Sequence, residues 1–151
     1  MTATHRAARV AVSCRVPFDL AITAAPADID DLGHVNNLVY LRWVQEVAIA
    51  HSIAQGWDGA AYQRLGASWV VRRHEIDYVL PVLEGEALTV TTWVEAVKGA
   101  SSVRRTRMTR ARDGAVVCRA TTTWAFVDLA RGRLVKIPDD LRAAFPIETV
   151  A

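Results

Sequence analysis

The chain has 151 residues, 52% of them apolar and 23% charged, with a net charge of +2. That balance excludes a disordered chain, and the small net charge argues against a partner held by bulk electrostatics, nucleic acid above all. The length suits a single domain over residues 1–151 with a real hydrophobic core.

No apolar run is long enough to cross a bilayer, since residues 38–54 are interrupted by Arg42, Gln45, Glu46 and His51. The opening MTATHRAARVAVSCR has no stretch of signal-peptide character. A cytoplasmic location without membrane attachment is the expectation. Cys14 and Cys118 lie too far apart in sequence to suggest a metal knuckle or redox pair, so buried or semi-buried thiols in a reducing compartment are expected. The cations are 16 Arg against 2 Lys, and five of the arginines fall within residues 104–112. Arginine's planar donor fork suits phosphate, which makes an anionic ligand worth considering.

Residues 1–12 read as a loose arm. In residues 17–23, PFDLAIT, Phe18, Leu20 and Ile22 alternate with Asp19, Ala21 and Thr23, which predicts a strand. Between Asn36 and Gln55 there is no Pro or Gly. There Tyr40, Trp43, Val44, Val47 and His51 share one helical face. Leu38, Ile49 and Ile53 interrupt the polar side, so this helix is expected to be covered on most of its surface. A short second helix is expected near Ala60–Leu65, ended by Gly66. Four strand-like segments follow, over 68–80, 86–97, 101–112 and 115–129, with a hairpin signal at Asp113-Gly114. Short turns between them predict an antiparallel meander. RLVKI would add a last short strand and PDDLRAAF a closing helix, with Pro138 near its first turn. One sheet on one long helix is an α+β layer arrangement, and strands this long suit a curved sheet.

Chemistry gathers in residues 28–37, DIDDLGHVNN. A calcium loop starting at Asp28 fails, because Leu32 and Val39 stand where oxygen ligands are needed. There is no GxSxG, Walker A, GxGxxG or HExxH sequence. Gly33 permits a sharp turn, and Asn36 or Asn37 suits a helix N-cap. A helix start carries open N–H groups and the positive end of the macrodipole. Asp30 and His34 stand just upstream of it. A carboxylate, an imidazole and preorganised donors together could serve acyl transfer, with Asp30 attacking a carbonyl or activating water. Capping and turn formation alone account for the same residue types.

The stretch from Asp28 through Asp30, Gly33, His34, Asn36, Asn37 and Tyr40 to Trp43 closely resembles the signature of hotdog-fold acyl thioesterases. It is most similar to the branch with the 4-hydroxybenzoyl-CoA type, the YbgC-like acyl-CoA thioesterases and the plant fatty acyl-carrier-protein thioesterases. RRHEIDYVLPVLEGEALTV is similar to the second strand, turn and third strand of that family, so the resemblance covers roughly residues 15–145. It implies a hotdog fold, an antiparallel sheet wrapped around one long central helix. It also implies a homodimer or homotetramer with active sites at subunit interfaces. The implied activity is hydrolysis of an acyl-CoA, or an acyl-carrier-protein thioester, to a free acid. By motif position Asp30 matches the family's aspartate and His34 the histidine of its GHVNN variant. Backbone N–H groups near His34 and Val35 would polarise the thioester carbonyl, Asn36 and Asn37 would shape the turn, and Tyr40 would line the substrate site. Arg105 and Arg107 would meet coenzyme A phosphates. No metal or redox cofactor is implied; coenzyme A enters only as part of the substrate. Leu32 replaces the asparagine of the plant enzymes, and the 4-hydroxybenzoyl type lacks a histidine at position 34. Nucleophilic and general-base roles for Asp30 therefore both stay open.

Other polar residues read more simply. Glu46 is expected to pair with Arg42 four residues earlier, and His51 to be a satisfied core histidine. His74 and Glu75 are strand neighbours and face opposite sides. Alternation puts Arg105 and Arg107 on one sheet face, with Arg104, Arg110 and Arg112 on the other, and solvated edge or outer-face charge explains this strand as readily as phosphate contacts do. Trp69, Trp93 and Trp124 are expected to pack the sheet or line an acyl pocket. Two rival functions stand beside hydrolysis. One is a sensor that binds acyl thioesters without cleaving them. The other is a hotdog dehydratase using His34 with Glu46, although the proline-rich segment of such enzymes is missing.

Overall fold

The computed structural model describes residues 17–150. The arm expected over residues 1–12, with His5 and Cys14, lies outside the described residues. Strand β1 (Phe18–Thr23) alternates half-buried and exposed residues, as its period-2 pattern requires. Helix α1 (Asn37–Ala54) starts at the expected cap: Asn36 Oδ1 accepts the Leu38 N–H at 2.9 Å. The stripe of Tyr40, Trp43, Val44, Val47 and His51 is buried. Leu38, Ile49 and Ile53, expected to be covered, are 73%, 57% and 55% exposed. The reason is geometric: the sheet lies against one side of α1 and leaves the opposite side open. Helix α2 (Gly59–Leu65) is capped by Asp58, whose Oδ1 accepts the Ala61 N–H at 2.8 Å. Gly66 ends it at φ 75°, a left-handed conformation suited to glycine.

Strands β2 (Ala67–Tyr78), β3 (Ala87–Lys98), β4 (Ser101–Arg110) and β5 (Val116–Asp128) complete an antiparallel sheet in the order β1-β3-β4-β5-β2. The expected meander therefore holds for β3, β4 and β5 only. Strand β2 pairs with β5 rather than with β3. A strand has two edges, and those of β3 are filled by β4 and by β1, where Phe18 faces Thr92. The connection 79–86 is long enough to carry the chain from one border of the sheet to β3. Register shifts at Val71/Arg73, Val94/Ala96 and Met108/Thr109 mark bulges. These bend long strands and sharpen their twist. The last strand expected at Arg133–Ile137 does not form: Leu134 makes a single bridge to Val127. Pro138 then starts helix α3 (Asp139–Ala144), and Ile137 and Leu141 turn into the core instead.

The core has two parts. One joins the first turns of α1 to the inner sheet face through Val35, Tyr40, Val44, Val82, Val90 and Met108. The other gathers Tyr62, Val94, Phe126, Ile137, Leu141 and Phe145 near α2 and α3. Among the described residues, no helix is long and apolar enough to cross a membrane.

Candidate active site

Residues 28–37 fold into a tight turn that leads directly into α1. Ile29 and Val35 form an antiparallel bridge. The Asp30 N–H donates to the His34 carbonyl at 2.9 Å, the Gly33 N–H to the Asp30 carbonyl at 3.0 Å, and the Asn36 N–H to the Asp28 carbonyl at 2.9 Å. Gly33 sits at φ 83°, which only glycine adopts without strain. The Asp30 Oδ1 accepts the Leu32 N–H at 2.9 Å, a local turn that orients the carboxylate. The main chains of Asp30 and His34 thus meet across the turn, and both residues are half-buried.

The backbone donors divide sharply. The Val35 N–H donates to the Val82 carbonyl at 2.9 Å, and its side chain is buried, so Val35 is committed to anchoring the turn. Leu38 is taken by the Asn36 cap. The His34 and Asn37 N–H groups have no acceptor among the described residues. Asn37 is the first residue of α1, where the macrodipole is most positive. An acceptor that gains negative charge would be stabilised there. The Asn37 carbonyl accepts the Tyr78 hydroxyl at 3.2 Å, tying the helix start to the end of β2. Tyr40 lies beneath the turn, in edge contact with Tyr78 and Trp43. Burial pushes its phenol up to about 12, which keeps it protonated and neutral.

One supporting contact carried no signal in the sequence. Asp28 is buried, accepting the Ala25 N–H at 2.9 Å on Oδ2 and Arg42 Nη2 at 2.7 Å on Oδ1. Burial alone would raise its pKa, but the Ala25 N–H and the Arg42 guanidinium outweigh it and hold the carboxyl below its ordinary value. Arg42 also reaches Glu46 at 3.3 Å, the expected helical pair. One arginine therefore links the turn to the helix. Fourteen residues separate it from Asp28, too far for any local pattern to show the contact.

The remaining candidates lie elsewhere. Arg105 and Arg107 sit on the sheet face opposite α1. Arg105 bonds Glu95 and Thr121, both at 2.9 Å, and Arg107 lies 5.9 Å over the Trp93 ring. The single chain does not bring either of them to the turn. His74 is half-buried and bonds Thr122 at 2.9 Å, while Glu75 is exposed and pairs with Arg73. His51 is buried, but only its Nδ1 has a partner, Arg104; Nε2 has none among the described residues. Trp69 and Trp124 line a cavity that opens to the surface, whereas Trp93 packs on the outer sheet face. Among the described residues, no cluster of His, Cys, Asp and Glu has metal-binding geometry.

The model of the thioesterase-like superfamily matches residues 24–145. The long-chain acyl-CoA thioesterase FadM of Escherichia coli strain K12 is 27% identical over 121 residues, covering 76% of this chain and 86% of that protein. A chloroplastic palmitoyl-acyl carrier protein thioesterase of Gossypium hirsutum is 29% identical over 109 residues, covering 68% of this chain and 26% of that longer protein. The crystal structure of Slr0204, a 1,4-dihydroxy-2-naphthoyl-CoA thioesterase from Synechocystis, superposes with a TM-score of 0.78 at 17% identity, over 84% of this chain and 93% of that one. With this match and this architecture, the chain belongs to the thioesterase-like superfamily of hotdog-fold thioester hydrolases.

Proposed function

We propose that the protein hydrolyses an acyl-CoA to a free carboxylic acid and coenzyme A at the turn before α1. The observation that carries this reading is the Asn37 N–H, open at the positive end of an 18-residue helix, beside the Asp30–His34 pair. A thioester carbonyl set against the Asn37 and His34 N–H groups gains two fixed donors as its oxygen becomes negative. Asp30 then attacks the carbonyl or removes a proton from the attacking water, and the thiolate of coenzyme A leaves. His34 orients the thioester or the water. Tyr40 supports the floor of the site, Asn36 holds the helix start and Val35 anchors the turn. Arg105 and Arg107 are assigned to the phosphates of coenzyme A, which must compete there with Glu95 and the Trp93 ring. The protein acts as a homodimer or homotetramer in the cytoplasm, with no metal or redox cofactor. The outer edge of β2 supports association, because β2 pairs with β5 alone and exposed Tyr78, Val79, Leu80 and Leu83 continue from its end.

The test is thiol release from short, medium, long and aromatic acyl-CoAs, run beside Asp30→Asn. Hydrolysis by the native chain that disappears in the variant supports the reading, and a matched acyl-carrier-protein thioester identifies the preferred carrier. Tight binding of every ester without thiol release would make the protein a thioester sensor instead.

A further inference from the structure

A cavity of about 450 Å³ lies between the second half of α1, α2, the inner sheet face and α3. It is separate from the turn. Its lining begins at Gln45, eight residues beyond Asn37, and includes no residue of 28–37. Eight residues of helix correspond to about 12 Å.

Its walls are mainly hydrocarbon and aromatic, among them Ile53, Val97, Leu141 and Phe145. In that setting stands Arg104, 7% exposed, with no acid as a partner. It makes two bonds from Nη1, to His51 Nδ1 at 3.0 Å and Thr92 Oγ1 at 3.2 Å, and lies over the face of Phe145 at 5.7 Å from the ring centroid. Among the described residues, neither Nε nor Nη2 has an acceptor. The one carboxylate in the lining, Asp58, is at the exposed mouth and caps α2. Residues 1–16 contain no Asp or Glu. A buried guanidinium without a counter-charge is costly. A guanidinium donates hydrogen bonds and cannot accept them. Two hydroxyls of the lining are engaged: Ser52 donates to the Trp57 carbonyl at 2.6 Å and meets the Tyr62 hydroxyl at 2.8 Å, which also accepts Trp69 Nε1–H at 3.2 Å.

A charged donor with open N–H groups in the wall of an apolar chamber defines the group that fits there. It accepts hydrogen bonds, carries negative charge and continues into hydrocarbon. We propose that this cavity is a binding site for an amphipathic carboxylic acid, with its carboxylate on Arg104 and its chain between α1 and α3. The site does not depend on hydrolysis at the turn; it stands on Arg104 and the cavity alone.

Hexanoate and decanoate, each compared with the primary alcohol of the same length, test it by calorimetry and thermal shift at pH 8. The expected result is one acid per chain, at least about tenfold tighter than its alcohol, as a charge-assisted bond implies. Arg104→Met should bring acid and alcohol to equal affinity. Asp30→Asn should leave acid binding unchanged, which separates this cavity from the catalytic turn and from any failure of the hydrolytic reading. Because removing a buried arginine can unfold a chain, the comparison in the native protein decides. Equal binding of acid and alcohol, no binding of either acid, or loss of binding in Asp30→Asn would each overturn the proposal.

Discussion

The buried carboxylate of Asp28 and the half-exposed guanidinium of Arg42 meet at 2.7 Å, and this contact fastens the candidate catalytic turn to the first turns of α1. A charged hydrogen bond is worth about 1.5–3 kcal/mol when buried. With Arg42 open to solvent, the lower part of that range applies. Asp28→Asn should therefore cost about 1–2 kcal/mol in urea denaturation. The depressed pKa sets the pH dependence. The contribution is fully present above the unfolded value of about 3.9 and is lost as pH falls through the still lower folded value. The variant should lack this acid-side loss.

Asp30→Asn should leave folding intact and reduce turnover by at least about a hundredfold. Asparagine keeps a side-chain oxygen for the Leu32 N–H, so the turn survives while the charge is removed. Matching denaturation curves with unequal rates of thiol release would bear this out. Undiminished turnover would remove Asp30 from the chemistry.

Gly33→Ala isolates backbone strain. A Cβ added there meets nothing within 4 Å, yet φ is 83°. The cost should be about 1–2 kcal/mol from the left-handed conformation alone. Because Gly33 closes the turn between Asp30 and His34, kcat should fall together with stability. A variant as stable as the native chain would show that the turn relaxes freely.

His51 predicts a second pH effect, at higher pH than Asp28. Burial, aided by the nearby charge of Arg104, pushes its pKa down to about 4. Between about 6.5 and 4 the unfolded chain binds a proton that the folded chain refuses, so stability declines as pH falls through this window. The loss should be on the order of 2–3 kcal/mol. His74, lowered by burial, acts in the same direction. His51→Gln, which keeps an acceptor for Arg104, should flatten most of the slope in denaturation series from pH 7 to 4. A slope unchanged in this variant would assign the effect to other groups.

Local features were legible in the sequence. The cap at Asn36, the stop at Gly66 and the buried stripe from Tyr40 to His51 follow from rules that act within a few residues. So does the turn at Gly33 that sets Asp30 opposite His34. The Arg42–Glu46 pair was readable for the same reason, being one helical turn apart.

What the sequence determined by itself was this set of short-range elements and the polar turn they frame. Tertiary structure alone decided that β2 crosses to β5, because an edge of β3 is free or filled only according to where β1 docks. It decided that Asp28 reaches Arg42 and that the Val35 N–H is spent on Val82 while that of Asn37 stays open. It also decided that Arg104, one of several alternating arginines in a strand, is the one enclosed in an apolar cavity. Each of these depends on which distant surfaces meet, and residue spacing along a chain carries no record of that.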